Sequence, residues 1–319
     1  MWDNFGFEFV NYYFVPGLVL GCIYALGAIG ITLTFGILRF ANFAHGEIIA
    51  LGAIMASFFS NLPTSRYIFF ENTSPLGLSF ELSLVLSVII CGIFGAGLEL
   101  LVFRPLRKNN FGNIAVLVIT IGISIFLRHL YLIFASSKPQ DYPLDLQRRQ
   151  QYFLFDLTPR DAKIIVYGIL IMIIFGLFIS FTSIGKQMRA VRDSNELANI
   201  TGINSDKIIL YTWILSSMLA GTAGIFQGMI NDVRWNMGFL ILLLVFAGTV
   251  LGGIGTSFGA MIGGFIIGIV VQVSVALPFM EGHSEAKNAI ALAIMILILL
   301  IRPQGLSLIH ISEPTRLLS

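Results

Sequence analysis

Long apolar runs constrain the fold of this chain more than any other feature of its sequence. A helix needs about 20 mostly apolar residues to cross the hydrocarbon core of a membrane, and runs of this kind follow one another along the chain. A β-barrel also satisfies its backbone in lipid, but its strands alternate apolar and polar residues, which the run Ile290–Ile301 does not do. The sequence predicts membrane segments at about 14–36, 42–61, 81–103, 112–135, 163–183, 208–230, 239–255, 259–278 and 287–301.

The composition excludes the soluble classes of protein. Charged residues make up 11% of the 319 residues and hydrophobic residues 56%, whereas soluble domains average about 25% charged residues. The chain lacks the charge for a water-facing surface, and a net charge of +2 is too small to indicate a nucleic-acid partner. We therefore expect an all-α, polytopic transmembrane helical bundle in contact with membrane lipid. It would have about 8–9 membrane segments, some of them broken or re-entrant.

Two polar or glycine-rich stretches, 35–47 and 247–259, interrupt the apolar runs. Non-helical backbone survives at membrane depth only where protein or a water-filled cavity surrounds it. A pair of glycine-interrupted segments in the two halves of a chain is typical of a transporter site, although two plain interfacial turns would give the same pattern. The candidate substrate-pathway residues are Arg39, Asn42, His45, Glu47, Gly248, Gly252, Gly253 and Gly255.

The stretch 184–207 is polar but has helical periodicity. Its apolar residues fall near one helical face, Ser194 is suited to cap a second short helix, and Gly202 is suited to end it. A short amphipathic helix in a connecting loop can dock into a partner's groove, and the alternative is a helix that lies on the membrane surface. The apolar stripe consists of Met188, Val191, Leu197 and Ile200.

Ionisable residues inside apolar segments are functional candidates by default. Glu99, Arg128 and His129 are of this kind. We favour structural roles for them, because Glu99 and Arg128 lie near the ends of their segments and can reach headgroups or each other. Cys22 and Cys91 are predicted to be small buried hydrophobic residues. No nucleophile with a paired base and no His/Cys cluster with metal spacing is found, so we expect no catalytic residue, metal or cofactor.

Four landmarks in order along the chain resemble a known transporter family. Glu196-x-Ala198-x3-Gly202 resembles the E-A-A-x3-G loop of ABC-importer permeases, and Leu197 departs from it at the middle position. The surrounding string 185–204 is similar to the version in branched-chain amino acid permeases of the LivH type. The other landmarks that resemble this family are Leu38–Glu47, Leu251–Gly264 and Arg302–Leu306.

The resemblance implies a multi-pass permease subunit of the bacterial inner membrane. It implies import of leucine, isoleucine and valine, driven by ATP and dependent on a periplasmic substrate-binding protein. The implied partners are a second permease of the LivM type and two ATP-binding subunits, which would hydrolyse the ATP because this chain has no G-x-x-x-x-G-K-[ST] loop. A urea or short-amide permease of the same family and an ion-coupled secondary transporter are the alternatives.

The charges of the chain predict its orientation. The acidic N-terminus and the short basic turn 104–108 favour a cytoplasmic loop 184–207 and an N-terminus outside. We expect residues 1–306 to form the permease domain, and the resemblance implies that the ATPase docks on the loop. The tail 307–319 has no periodicity and resembles a translated sequencing adapter, and an ordinary disordered tail is the alternative. The candidate ATPase-coupling residues are Arg189, Arg192, Glu196, Ala198 and Gly202.

Overall fold

The chain folds into packed helices at nearly every apolar run of its sequence. The computed structural model describes residues 9–60, 79–109, 111–135, 137–144, 148–152, 155–253, 255–276 and 287–301, so the predictions for 302–319 lie outside it. The elements in chain order are α1 (Val10–Leu38), α2 (His45–Ser60), α3 (Phe80–Lys108), α4 (Asn113–Ala135), β1 (Gln150–Tyr152), β2 (Phe155–Leu157), α5 (Pro159–Phe181), α6 (Ser183–Asp193), α7 (Asn195–Ile200), α8 (Ser205–Ile230), α9 (Met237–Gly252), α10 (Ser257–Ala276) and α11 (Lys287–Ile301).

The helices differ in whether they are long enough to cross a membrane. Among the described residues, α1, α3, α4, α5, α8 and α10 have the necessary length and apolar composition. The apolar helices α2 and α9 have 16 residues each and α11 has 15. Sixteen residues span about 24 Å, less than the roughly 30 Å of a hydrocarbon core. The helical, multi-pass architecture is confirmed, except that β1 and β2 form a small antiparallel hairpin. The count of eight or nine crossings stays a prediction.

Side-chain caps fix the starts of four helices along the middle of the chain. In each case a hydroxyl or amide oxygen accepts a hydrogen bond from a backbone N–H of the first turn, which would otherwise lack a partner. The predicted cap at Ser194 is confirmed. The four pairs are Thr158 with Asp161, Thr182 with Gly185, Ser194 with Leu197 and Asn204 with Lys207.

The helices α1 and α8 form the centre of the bundle and are buried along most of their length. Close approach of backbones makes this possible, because small residues stand where helices cross. A Cβ on Gly268 of α10 would strike the backbone of Gly21 in α1, and a Cβ on Gly52 of α2 would strike the backbone of Gly221 in α8. By contrast, α3, α4 and α5 lie at the outside and expose large apolar side chains.

The helix α2 begins inside the bundle and not at its edge. His45 in its first turn contacts the carbonyl oxygen of Gly27 through Nε2, at 3.2 Å. Gly27 lies eleven residues before Leu38, the last residue of α1, which corresponds to about 16 Å of helix. The chain therefore leaves the end of α1, turns back through residues 39–44 and starts α2 level with the middle of α1.

The helix α9 begins in the same manner from the other end of the bundle. Its first residue, Met237, lines a cavity together with Leu20 and Tyr24, so α9 starts about ten residues along α1 and not level with its beginning. The first turns of α2 and α9 touch, since a Cβ on Gly46 would lie 2.9 Å from the carbonyl oxygen of Gly238. Two 16-residue helices thus meet by their N-terminal turns inside the protein.

A single methyl group at a helix crossing is expected to destabilise the bundle. At Gly52 an added Cβ meets the backbone of Gly221, which cannot rotate away, and overpacking of this kind costs about 1–3 kcal/mol. Gly97 is also helical but has open space around it, so Gly97→Ala is the matched control and should be neutral or slightly stabilising. Melting of the purified protein in detergent measures both effects. Equal melting temperatures for the two variants would contradict the proposed close crossing.

Candidate functional site

Two of the predicted substrate-pathway residues, Arg39 and Asn42, form the break between α1 and α2. Arg39 ends α1 in the left-handed region, with φ 55°, and its N–H donates to the carbonyl of Phe35 at 2.8 Å. Asn42 then organises the start of α2, because its Oδ1 accepts from Ala44 N at 3.1 Å. Such local hydrogen bonds are the reason that Asn is favoured in turns. Arg39 is exposed, whereas Asn42 is 1% exposed.

His45 is completely buried and packs into the core of the bundle. Its Nε2 contacts the carbonyl oxygen of Gly27. The imidazole fits because Gly30 has no side chain, since a Cβ there would lie 2.7 Å from Cε1 of His45. The carbonyl of Gly30 in turn accepts from the hydroxyl of Ser216 in α8 at 2.8 Å. His45 thus lies where α1, α2 and α8 meet.

Glu47 forms a buried ion pair with Arg128. Its Oε1 accepts from Nε and Nη2 of Arg128 at 3.1 and 3.0 Å and from Oγ of Ser124 at 3.0 Å. The guanidinium carbon of Arg128 lies 3.9 Å from the ring centroid of Phe239 in the first turn of α9. Tyr131 donates its hydroxyl to the carbonyl of Glu47 at 3.0 Å. This Glu47–Arg128 cluster therefore joins α2, α4 and α9.

The ion pairs differ from those considered from the sequence. Glu99 and Arg128 do not pair with each other in this structure. Arg128 pairs with Glu47, while Glu99 accepts from Arg107 at 2.6 and 3.1 Å within the last turns of α3. A charge in a low-dielectric interior needs a partner of opposite charge. The presence of charged residues in apolar segments therefore predicts that they are paired. The choice between partners depends on helix packing, which the sequence spacing does not encode.

The start of α2 holds polar atoms that the described protein does not satisfy. They are buried and belong to three side chains, and no described group hydrogen-bonds to them: Asn42 Nδ2, His45 Nδ1 and Glu47 Oε2. Buried polar groups are normally paired with protein, water or ligand. The first turn of α2 and the segment just before it therefore retain one amide donor, one imidazole nitrogen and one carboxylate oxygen that can serve a polar group reaching this depth. No group of three or more metal-ligating side chains occurs in the parts of the chain that the structure describes.

The second glycine-rich stretch forms the tight turn between α9 and α10. Gly248 and Gly252 pack against the backbone of α10, and Gly253 and Gly255 take φ values of 99° and 94°, which favour glycine. A Cβ on Gly36 would lie 3.8 Å from Gly255, so the turn stands beside the end of α1.

The segment that matches the first break is 231–236, which leads into α9 as 39–44 leads into α2. The sequence pattern predicts this role for 247–259 instead. The polar run Asn231-Asp232-x-Arg234 was the available signal, but it also fits an ordinary external loop.

The polar loop 184–207 forms two short helices that face different ways. Met188 and Val191 of α6 are buried against the bundle, whereas Leu197 and Ile200 of α7 are 61% and 82% exposed. The single apolar stripe expected from the sequence is thus wrong, because the cap at Ser194 separates two helices and changes the direction of the chain.

The end of α7 follows the prediction made for Gly202. This glycine has φ 87°, its N–H donates to Asn199 O at 3.1 Å, and Ile203 N donates to Ala198 O at 3.0 Å. These two bonds make a Schellman motif, which requires the left-handed conformation at this position. Of the other predicted coupling residues, Glu196 is exposed, Ala198 is buried, and Arg189 donates to the carbonyl of Ile179 in α5.

A polar cavity of about 370 Å³ lies at the opposite end of the bundle. Asp141, Arg160, Asn231 and Asp232 are among the residues that line it. Desolvation, together with repulsion from Asp232 and a hydrogen bond to it, raises the pKa of the Asp141 carboxyl above its ordinary value. Two carboxylates thus face a cavity at the end of α8, at the point where residues 231–236 turn back into the bundle.

Residues 13–299 match the family described as "Branched-chain amino acid transport system / permease component". The chain belongs to this permease family. It is 32% identical over 301 residues to the branched-chain amino acid permease protein BraD of Pseudomonas aeruginosa, covering 92% of this chain and 94% of the relative. It is 30% identical over 304 residues to LivH of Salmonella typhimurium, with coverages of 91% and 92%. The permease is therefore a transport component and not an enzyme, and the resemblance found in its motifs is confirmed.

A solved structure has a similar fold. The permease is similar to a chain of "PsaBC from Streptococcus pneumoniae in complex with Fab", with a TM-score of 0.51 and 13% sequence identity. The match covers 97% of this chain and 99% of the other. At this identity the likeness concerns the fold alone.

Removal of one partner of the Glu47–Arg128 pair is expected to destabilise the permease strongly. A buried charge left alone costs about 3–5 kcal/mol, so Glu47→Ala and Arg128→Ala should each lower the melting temperature in detergent. The double variant should lose less than the sum of the two, because it leaves no unpaired charge. Arg234→Ala is the control, because its pair with Asp232 is half exposed and worth less than about 1 kcal/mol. Additive effects would show that the two side chains act independently.

Proposed function

We propose that this permease imports leucine, isoleucine and valine as a subunit of an ATP-driven transporter of the bacterial inner membrane. In this proposal it assembles with a second permease of the LivM type, two ATP-binding subunits and a periplasmic substrate-binding protein. The family match and the printed names of BraD and LivH support the substrate class. The N-terminus would lie outside the cell and the helices α6 and α7 inside.

One observation favours an ATP-driven importer over an ion-coupled transporter. The helix α7 presents Leu197 and Ile200 to solvent, beyond the ends of the apolar helices. Exposed apolar side chains on a short helix between membrane segments are suited to a groove on a partner protein. An ion-coupled transporter needs no such partner. We propose that the α6–α7 loop docks on the ATP-binding subunit, with Arg189, Arg192, Glu196, Ala198 and Gly202 as the coupling residues.

The substrate pathway is proposed to run past the start of α2. Asn42, His45 and Glu47 each retain a polar atom without a described partner there, which supports an encounter with the charged ends of an amino acid. These side chains are buried in this conformation, so transport requires a state in which water and substrate reach them. Arg39 would lie at the inner end of the pathway. The turn that contains Gly248, Gly252, Gly253 and Gly255 would allow α9 and α10 to shift.

Uptake by the reconstituted complex tests the substrate class. With all four partners and ATP in proteoliposomes, we expect accumulation of labelled leucine that excess isoleucine and valine suppress and excess urea does not. Omission of ATP is the control and should abolish uptake. Uptake of urea instead of leucine would place the permease with the short-amide transporters. Accumulation driven by an ion gradient without the ATP-binding subunits would contradict the ATP-driven mechanism.

Gly202→Val is expected to uncouple the permease from its ATPase. A side chain at φ 87° costs about 1–2 kcal/mol, so α7 would lose its Schellman ending and Leu197 its position. This free-energy cost corresponds to roughly a factor of ten, so uptake and co-purification of the ATP-binding subunit should each fall by about that factor. Insertion of the permease into the membrane should persist. Gly112→Val is the matched control, since Gly112 also has open space around it but no positive φ. Wild-type uptake by Gly202→Val would contradict the docking role.

A further inference from the structure

Arg192 points toward the bundle and away from the exposed surface of α7. Its Nη1 donates to the carbonyl oxygen of Gly255 at 2.7 Å, in the turn between α9 and α10. Its Cδ lies 3.1 Å from the position that a Cβ on Gly36 would take. The other edge of the guanidinium pairs with Asp193 at 3.3 Å. The side chain therefore joins α6 to both the end of α1 and the α9–α10 turn.

The α9–α10 turn is suited to move as one piece. Thr256 closes it, because its hydroxyl and its N–H both donate to the carbonyl of Gly253, at 3.0 and 3.2 Å. On either side of the turn, α9 and α10 are packed backbone to backbone, with Gly252 against Gly259 and Gly248 against Gly264. A displacement of the Gly255 carbonyl would therefore carry the adjoining ends of both helices with it.

We propose that Arg192 is a positioning residue that transmits movement of the α6–α7 loop to the α9–α10 turn. The inference rests on the proposed function, because it requires an ATPase that moves the loop. It differs from docking, in which Arg192 would contact the ATP-binding subunit. The apolar contact surface belongs to α7, whereas Arg192 reaches in the opposite direction.

An arginine is suited to this role for two physical reasons. Its guanidinium is a charged donor, and a hydrogen bond from a charged donor to a carbonyl is stronger than a neutral one. The fork of donors also allows one side chain to hold Gly255 and Asp193 together. Arg189, one turn earlier in α6, makes a similar bond to the carbonyl of Ile179 at the end of α5. The two arginines therefore connect α6 to the end of α5 and to the α9–α10 turn.

The test compares coupling with docking in the complete transporter. Complexes that contain wild-type permease, Arg192→Gln or Arg192→Lys are reconstituted, and uptake, ATP hydrolysis and retention of the ATP-binding subunit are measured. In Arg192→Gln we expect full retention and continued hydrolysis, with uptake per ATP reduced about tenfold, the equivalent of one lost charge-assisted hydrogen bond. Arg192→Lys keeps a charged donor and should recover part of the uptake. Lys163→Gln, which removes one positive charge at the other end of α5, should behave as wild type.

A second variant disrupts the contact between Arg192 and Gly255 without removing the charge of Arg192. Gly36→Val would push the Arg192 side chain away from Gly255, and it should reproduce the loss of uptake per ATP while the subunit stays bound. Normal coupling in both Arg192→Gln and Gly36→Val would overturn the proposal. Loss of subunit binding in Arg192→Gln, to the extent seen in Gly202→Val, would make Arg192 a docking residue instead. Failure of the wild-type permease to bind any ATP-binding subunit would reject the proposed function itself.

Discussion

Two helices of this permease begin inside an apolar bundle, and the rest of the structure follows from satisfying their first turns. The N–H groups of a first helical turn have no partners within the helix. The interior of a membrane contains no water that could accept their hydrogen bonds. For α2, the Oδ1 atom of Asn42 accepts one of these groups. The first turns of α2 and α9 are in contact through Gly46 and Gly238. The two helices can begin side by side because neither of these glycines has a side chain.

The same place concentrates charge. The N-terminal end of a helix favours an anion, and Glu47 lies in the first turn of α2. Arg128 neutralises it from α4 and rests on Phe239 in the first turn of α9. Through Arg128, the otherwise peripheral α4 contacts both α2 and α9. Under the proposed function, a zwitterionic substrate carries the two charges that could replace the partners of this ion pair. Structural and transport roles for this pair are therefore compatible.

The sequence predicts the positions of the helices better than the contacts between them. Each apolar run became a helix, because apolar content and length decide that outcome in a membrane. The break at 39–44, the cap at Ser194 and the helix stop at Gly202 were also predicted, since each depends on a local residue type. The contact between 39–47 and 231–242 was missed, because it depends on long-range packing. The sequence predicts the second helix after Ser194, but it does not predict that α7 turns Leu197 and Ile200 away from the bundle, because the change of direction at the cap depends on packing.

The proposed roles become one mechanism through α9. At one end, α9 joins the turn that Arg192 holds by the carbonyl of Gly255. At the other end, its first turn carries Phe239 and Gly238 against Arg128 and Gly46. A rigid 16-residue helix spans about 24 Å, so a shift of the turn is delivered to the Glu47–Arg128 cluster without an intervening loop. In this mechanism, movement of the docked α7 would change the packing around the buried polar atoms of α2, which is where a substrate would have to pass.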